Sequence, residues 1–240
     1  MEVKTRGLVL HTQKYSDTTL IADVLTEAEG FRSFAVSVST GRRSTGRHRL
    51  FQPLARLTLA WNERTSTSLP RLRSVEGLPY QSLTTVYEKT AVTLFVAEFL
   101  RAALRNEPPQ PQLFDYIWKS MEWFDAAEEH YANFHLVFLL RLSRFLGFYP
   151  NVDEYREGDY FDMTSSTFVR SAPSHLHYLE PDLAALLPKL MRMKYATMHV
   201  FRFSGTERSR LVSFILGYYE LHLPSFPALK SLEVLRAVFR

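Results

Sequence analysis

The sequence of 240 residues contains no cysteine. This absence excludes disulfides, thiol nucleophiles and any zinc site built on thiolates. Long apolar runs are also absent, and Glu2, Lys4 and Arg6 place charges in the first residues, where a signal peptide would have its apolar core. Neither membrane insertion nor secretion is indicated, so we expect a soluble protein of the cytoplasm.

The common catalytic signatures are missing as well. The chain has no Gly-x-Ser-x-Gly elbow, no His-Glu-x-x-His, no dinucleotide fingerprint and no P-loop. His175 and His177, followed by Glu180 and Asp182, form a possible metal site. They precede a predicted helix, however, where acids at the N-terminus interact favourably with the helix dipole. We predict no catalytic residue, no metal and no cofactor.

Positive charge is concentrated in the first third of the chain. The formal net charge is +4, yet residues 1–80 hold 12 Lys/Arg against 7 Asp/Glu, and residues 81–240 hold 17 against 18. This asymmetry is typical of a polyanion-binding module attached to a neutral body.

Residues 1–80 show five short runs in which apolar and polar residues alternate. The predicted strands are residues 8–10, 20–25, 31–38, 54–61 and 69–75. Five short strands with one longer connection, between the third and the fourth, favour a small closed barrel of the OB type over a sandwich, which needs more strands.

From residue 83 onward the apolar spacing is that of helices. The predicted helices cover residues 83–107, 112–129, 132–148, 180–194, 206–221 and 229–239. The third is apolar on most of its circumference, so we expect it at the centre of the helical core. The expected fold class is therefore α+β. An OB-fold barrel occupies residues 1–80, and a mainly α-helical domain occupies residues 81–240, with a hairpin-bearing insertion at about 152–178.

The segment at residues 39–49 is chemically the most informative. It has two glycines, four Ser/Thr hydroxyls, no acid, and the cations Arg42, Arg43, Arg47, His48 and Arg49. Arginines and hydroxyls bind phosphate oxygens, and glycine lets backbone amides approach a phosphate closely. The composition predicts a segment that binds a nucleic-acid backbone. A solvated loop whose arginines only aid solubility is the alternative.

Further side chains in the first 80 residues extend this interpretation. The additional candidate DNA-binding cations are Lys4, Arg6, Lys14, Arg32, Arg56, Arg64, Arg71 and Arg73. Strand residues two apart share a face, so pairs such as Lys4 with Arg6 can form basic steps. Trp61, Phe51 and Tyr15 are candidate stacking platforms for bases. The first two close apolar strands, which favours a place in the core.

A set of short motifs, in order along nearly the whole chain, resembles the bacterial RecO family of recombination mediators. The motifs are residues 7–10 (Gly-Leu-Val-Leu), 15–17 (Tyr-Ser-Asp), 25–27 (Leu-Thr-Glu) with Gly30, the basic segment ending in 50–53 (Leu-Phe-Gln-Pro), 113–114 (Leu-Phe), 140–150 (Leu-Arg-Leu-Ser-Arg-Phe-Leu-Gly-Phe-Tyr-Pro), 160–162 (Tyr-Phe-Asp), 219–222 (Tyr-Glu-Leu-His) and 230–235.

This resemblance implies an OB-fold followed by a helical domain, and a cytoplasmic, nucleoid-associated protein without turnover chemistry. It implies binding of single- and double-stranded DNA and annealing of complementary strands. It also implies cooperation with RecR in loading RecA onto strands coated by the single-strand-binding protein SSB. The acidic, apolar-ended SSB tail needs an apolar pocket rimmed by cations. The candidates are Arg141, Arg144, Lys189, Arg192, Lys194 and Arg202, beside Leu140, Phe145, Leu190 and Met193.

The chain departs from the family pattern in one respect. Many members carry a four-cysteine zinc module after the segment that corresponds to residues 146–150, whereas residues 151–177 contain no cysteine here. Zinc is therefore not predicted. Either the module folds without metal through Tyr155, Tyr160, Phe161 and Phe168, or it is reduced to a simple hairpin.

Two other functions remain open from the residues alone. One is an RNA-binding OB-fold adaptor of the translation or transcription machinery, because phosphate contacts do not distinguish DNA from RNA. The other is a metal-dependent nuclease that uses the acidic residues at 153–162.

Overall fold

The computed structural model describes residues 2–38, 50–62 and 69–238. The basic segment at residues 39–49 and Arg64 lie outside the described residues. The chain forms two compact units, Met1–Ala126 with Leu229–Leu235, and Ala127–Ala228 with Arg236–Arg240. The domain boundary predicted at residue 80 stays a prediction. In the described part of the chain, no helix is long and apolar enough to cross a membrane.

The first unit contains a five-stranded sheet. Its strands are β1 (Glu2–Ser16), β2 (Thr19–Thr26), β3 (Gly30–Ser37), β4 (Arg56–Asn62) and β5 (Leu72–Leu78), in the order β3-β2-β1-β4-β5. A parallel bridge between Ala35 and Arg71 joins the two outer strands. The amide of Ala35 also donates to the carbonyl of Pro70 at 3.0 Å. The sheet closes on itself, which confirms the predicted OB-type barrel.

Strand β1 is longer than the run predicted at residues 8–10. Its first half pairs with β4 and its second half with β2. Register shifts after Val9 and after Lys14 mark two bulges, and bulges bend a strand. A bent strand that changes partners does not keep one buried face along its length. Its buried residues are therefore concentrated in its middle, at residues 7–10.

The barrel interior is apolar and closely packed. Trp61 and Phe34 are fully buried, with their ring centroids 5.1 Å apart in an edge-to-face arrangement. Phe51 belongs to the same cluster, so the core interpretation of Trp61 and Phe51 is confirmed. At Gly7 an added Cβ would lie 2.6 Å from the side chain of Leu59 and 2.8 Å from that of Val24, so these two side chains fill the space beside the glycine.

Two helices complete the described part of residues 1–126. Helix α1 (Tyr87–Leu104) ends before Pro108, and helix α2 (Pro111–Ala126) follows. Arg101 of α1 binds the carboxylate of Asp23 on β2 at 2.7 Å, and the hydroxyl of Ser33 on β3 donates to the same carboxylate at 2.6 Å. These bonds attach α1 to the barrel.

The second unit contains a buried central helix, α3 (Phe134–Leu142), in which every residue except Arg141 is buried. This burial confirms the expectation that this helix is central. The other elements of the second unit are β6 (Tyr160–Asp162), β7 (Thr167–Val169), β8 (Tyr178–Leu179), α4 (Pro181–Ala184), α5 (Leu187–Arg192), a 3₁₀ helix (Tyr195–Val200) and α6 (Gly205–His222). The last helix, α7 (Leu232–Val238), begins in the residues of the first unit and ends in those of the second.

Two predicted helices end early or are divided in the structure. The helix predicted at 132–148 ends at Leu142, and the chain continues through turns to Gly147, which has a positive φ of 87°. The helix predicted at 180–194 is divided into α4 and α5. Pro188 lies in the first turn of α5, where its missing N–H breaks no intrahelical bond.

Aromatic packing and an ion pair hold the insertion at 152–178. The ring of Phe168 lies 4.8 Å from that of Tyr155 and 5.2 Å from that of Phe161, and Arg170 binds Asp159 at 2.8 Å. Strands β7, β6 and β8 form a three-stranded sheet. The described residues contain no group of three or more metal-ligating side chains. The residues present therefore do not fit the four-thiolate zinc site of other family members, and the absence of zinc stays a prediction.

Candidate nucleic-acid interface

The tip of the β1–β2 hairpin is polar, aromatic and exposed. Residues 13–18 all face solvent. Lys14 Nζ lies 2.6 Å from Asp17 Oδ1, and the amide of Thr18 donates to Ser16 Oγ at 3.3 Å. Ser16 pairs with Thr19, which leaves a two-residue turn. The strand pairing and the Ser16–Thr18 hydrogen bond give the backbone of the tip a defined conformation.

The residues on both sides of the basic segment at 39–49 are bonded to this hairpin. Before the segment, the amide of Val38 donates to the carbonyl of Thr18 at 2.9 Å. After it, the hydroxyl of Thr12 donates to the carbonyl of Phe51 at 2.9 Å. The chain therefore leaves the barrel for the basic segment, and returns from it, at the β1–β2 hairpin.

Four of the predicted cations are exposed on the barrel: Lys4, Lys14, Arg71 and Arg73. Arg73 lies 3.3 Å from a carboxylate oxygen of Glu2 in an exposed ion pair. Exposed pairs of this kind contribute about 0 to 1 kcal/mol, so a phosphate can displace the acid. The backbone of Arg71 forms a β-bridge with that of Ala35 on β3. Strand β3 ends at Ser37, which pairs with Thr19 of the hairpin. These four cations can therefore reach a polyanion.

Arg6, in contrast, is engaged within the fold. It donates two hydrogen bonds to the carboxylate of Glu27, at 3.0 and 2.7 Å, and its guanidinium carbon lies 4.9 Å from the centroid of Trp118 on α2. The bond from Arg6 lowers the pKa of Glu27 and raises the pKa of Arg6. Both groups are therefore held in their charged forms by each other.

Arg56 is also engaged. It binds Glu122 of α2 at 2.8 Å, donates to the carbonyl of Pro79 at 3.0 Å, and lies 4.4 Å from the ring centroid of Tyr80. The same oxygen of Glu122 accepts from the indole of Trp118 at 2.9 Å. The side chain is only 14% exposed. Arg56 therefore fixes α2 on the barrel.

Arg32 occupies an intermediate position. Its side chain is about one third exposed, and it binds Glu29 at 2.6 Å in the turn between β2 and β3. Its charge is therefore balanced by a near neighbour in the sequence.

Comparison with known proteins gives matches along nearly the whole chain. The family model described as "Recombination protein O N terminal" matches residues 1–80, and "Recombination protein O C terminal" matches residues 85–233. The chain belongs to the RecO family. Relatives named DNA repair protein RecO come from Bacteroides fragilis, with 48% identity over 98% of both chains, and Phocaeicola vulgatus, with 44% over 98% of both. The relative of that name from Flavobacterium psychrophilum is 30% identical over the full length of both chains.

The cations predicted to bind the SSB tail lie in the second unit, and five of them are exposed: Arg144, Lys189, Arg192, Lys194 and Arg202. Lys189 and Arg192 are one turn apart on α5 and share a side of it. Arg141 donates to the carbonyl of Met193, so this cation is used within the unit.

The apolar companions predicted for this site are mostly core residues. Leu140, Leu190 and Met193 are buried, whereas Phe145 is partly exposed. Among the four, Phe145 is therefore the side chain that can contact a ligand.

Proposed function

We propose that this RecO-family chain binds DNA through its barrel and acts as a recombination mediator in DNA repair. The observation that carries the proposal is the bonding of both flanks of the basic segment to the β1–β2 hairpin. The relatives named DNA repair protein RecO support DNA as the polyanion. The proposed contacts are Arg42, Arg43, Arg47, His48 and Arg49, with Lys4, Lys14, Arg71 and Arg73.

Charge neutralisation is sufficient for the proposed annealing of complementary strands. Two DNA strands repel each other through their phosphates, and arginines bound to both backbones reduce that repulsion. Base pairing then selects the correct partner, so the protein need not read bases. In this proposal the chain has no turnover chemistry, and it works with RecR to load RecA onto SSB-coated strands.

The proposal is tested with the purified full-length protein on a DNA strand, its complement, and RNA of the same sequence. We expect DNA to bind at least as tightly as RNA, and the protein to accelerate annealing of the two DNA strands. A preference for RNA that depends on the 2′-hydroxyl would instead support the RNA-binding adaptor. Cleavage of labelled DNA with magnesium or manganese would support the nuclease.

The exposed cations of the second unit are proposed to bind the acidic tail of SSB. Lys189 and Arg192 present two positive charges on one side of α5, with Lys194 exposed just beyond the helix. Carboxylates of an acidic peptide form charge-assisted hydrogen bonds with such cations. Phe145 supplies an aromatic side chain for the apolar end of the tail.

Charge reversal separates this site from the barrel. Lys189→Glu with Arg192→Glu should weaken binding of an SSB-tail peptide and leave DNA affinity at its wild-type value. Arg156→Glu controls for charge reversal elsewhere in the unit, because Arg156 is an exposed cation outside the proposed site. Unchanged peptide affinity in the double variant would remove these two residues from the proposal.

A further inference from the structure

Tyr15 differs from the other two aromatic side chains that sequence suggests for base stacking. Trp61 and Phe51 lie in the barrel core, whereas Tyr15 is 74% exposed. Within the described ranges its ring has no aromatic or cation partner. A single exposed aromatic residue is common on proteins, so exposure alone indicates no function. Its position on the hairpin is the informative property.

The backbone pairing singles out Tyr15. Lys14 pairs with Leu20 and Ser16 pairs with Thr19, so Tyr15 is the extra residue of a bulge on β1. A bulge changes the direction of its side chain relative to the regular alternation of a strand. The backbone is fixed on both sides of the bulge by the pairing of Lys14 with Leu20 and of Ser16 with Thr19. The phenol ring is therefore presented from a well-defined backbone.

The surroundings of the hairpin favour a polyanionic ligand. Lys14 is adjacent to Tyr15, and its ion pair with Asp17 is fully in solvent, with both side chains more than half exposed. A phosphate can therefore replace Asp17 at little cost. The backbone of the same turn bonds to Val38 through the carbonyl of Thr18. A stacking surface and the cation Lys14 thus lie side by side, the combination that single-strand-binding grooves use.

We propose that Tyr15 stacks on unpaired nucleobases and gives the barrel a preference for single-stranded over double-stranded DNA. This inference rests on the proposed function, because it assumes that DNA binds at the hairpin. A phenol ring stacks on any base, so its contribution does not depend on sequence. In a duplex the bases are already stacked on each other, and Tyr15 has no free base face to contact. Phosphate contacts alone are available on both forms of DNA.

The test compares Tyr15→Ala with the wild type on oligothymidylate, on an abasic strand of equal length and on a duplex. We expect Tyr15→Ala to bind oligothymidylate about 5- to 150-fold more weakly, which corresponds to roughly 1 to 3 kcal/mol for one stacked base. Affinity for the abasic strand and for the duplex should change by less than about twofold, since neither offers an unstacked base. The salt dependence of binding should keep its slope, because no charge is removed.

Tyr15→Phe and Tyr15→Trp are the matched variants. Both keep an aromatic face and should bind oligothymidylate within about twofold of the wild type or tighter. Loss of affinity in Tyr15→Phe would indicate a hydrogen bond from the hydroxyl and overturn stacking. Equal loss on the abasic strand would do the same, as would an unchanged affinity of Tyr15→Ala for oligothymidylate. Failure of the wild type to bind any DNA would overturn the proposed function instead.

Discussion

Replacing Arg56 with alanine distinguishes a cation that holds the fold from one that binds DNA. The substitution removes an ion pair to Glu122 at 2.8 Å, a hydrogen bond to the carbonyl of Pro79 at 3.0 Å, and a ring contact with Tyr80 at 4.4 Å. All three interactions come from a side chain that is only 14% exposed. We therefore expect a loss of stability without a loss of DNA affinity.

The magnitude follows from these contacts. The hydrogen bond from the charged donor contributes about 1.5 to 3 kcal/mol, and the cation–π contact adds about 0.5 to 2 kcal/mol. Glu122 is nearly half exposed, so the ion pair is screened and contributes at most about 1 kcal/mol. Because the three contacts share one group they are not additive, and we expect a total of about 2 to 4 kcal/mol. For a chain of this size the melting temperature should fall by roughly 4 to 16 °C.

The assay measures thermal unfolding and single-strand affinity on the same preparation. Arg71→Ala is the matched control, because Arg71 is an exposed arginine of the same barrel. It should change the unfolding free energy by less than about 0.5 kcal/mol and weaken DNA binding. A wild-type melting temperature for Arg56→Ala would refute the reasoning. So would a loss of DNA affinity, at intact stability, that equals the loss in Arg71→Ala.

Two further predictions concern the buried acid Asp125 and the metal content of the insertion at 152–178. Burial alone would raise the pKa of Asp125, but bonds from the amides of Gln81, Ser82 and Leu83 outweigh it and lower the pKa below 3.8. The ionised carboxylate therefore stabilises the fold above about pH 4, and this contribution is lost as the pH falls through the lowered pKa. In urea unfolding at pH 7, the unfolding free energy of Asp125→Asn should be about 2 to 4 kcal/mol lower than that of the wild type. This difference in free energy should become smaller at acid pH, where the wild-type carboxylate is protonated. A difference that does not change with pH would contradict this account. In the second prediction, metal analysis should find zinc well below one ion per chain, and a chelator should leave the melting temperature unchanged. About one zinc per chain would contradict this prediction and direct attention to His175 and His177.

Local patterns in the sequence were sufficient for most of the fold. Apolar alternation located part of each of the five strands, because each strand contributes side chains to the barrel core. It did not give the length of β1, whose bulges and change of partner depend on pairing between residues far apart in the sequence. The division of the helix predicted at 180–194 into α4 and α5 could have been predicted from Pro188, because proline disfavours a helix interior. The helical spacing of apolar residues continues across the division, which led to the prediction of one helix.

The candidate interface was less accessible to sequence reasoning. Sequence reasoning cannot distinguish Arg6 from Arg71, because both are cations in segments where apolar and polar residues alternate. Arg6 is engaged by Glu27 and by Trp118, which lie 21 and 112 residues away along the chain. No periodicity relates residues at such separations, so only the three-dimensional structure separates cations used in the fold from cations left exposed. The bulge at Tyr15 likewise depends on how β1 pairs with β2.

The central claim is that the basic segment binds the DNA backbone, and the salt dependence of single-strand affinity tests it most directly. Arg42, Arg43, Arg47 and Arg49 are replaced by alanine, and affinity is measured over a range of salt concentrations. The control replaces Arg144, Lys189, Arg192 and Lys194, which removes the same charge from the second unit. The slope of log K against log salt is negative, and each lost phosphate contact should reduce its magnitude by about 0.7. Loss of two to four contacts should therefore reduce the magnitude by roughly 1.4 to 2.8. Affinity should fall alike for every sequence, and the control should keep the wild-type slope. A wild-type slope and affinity in the segment variant would contradict the claim.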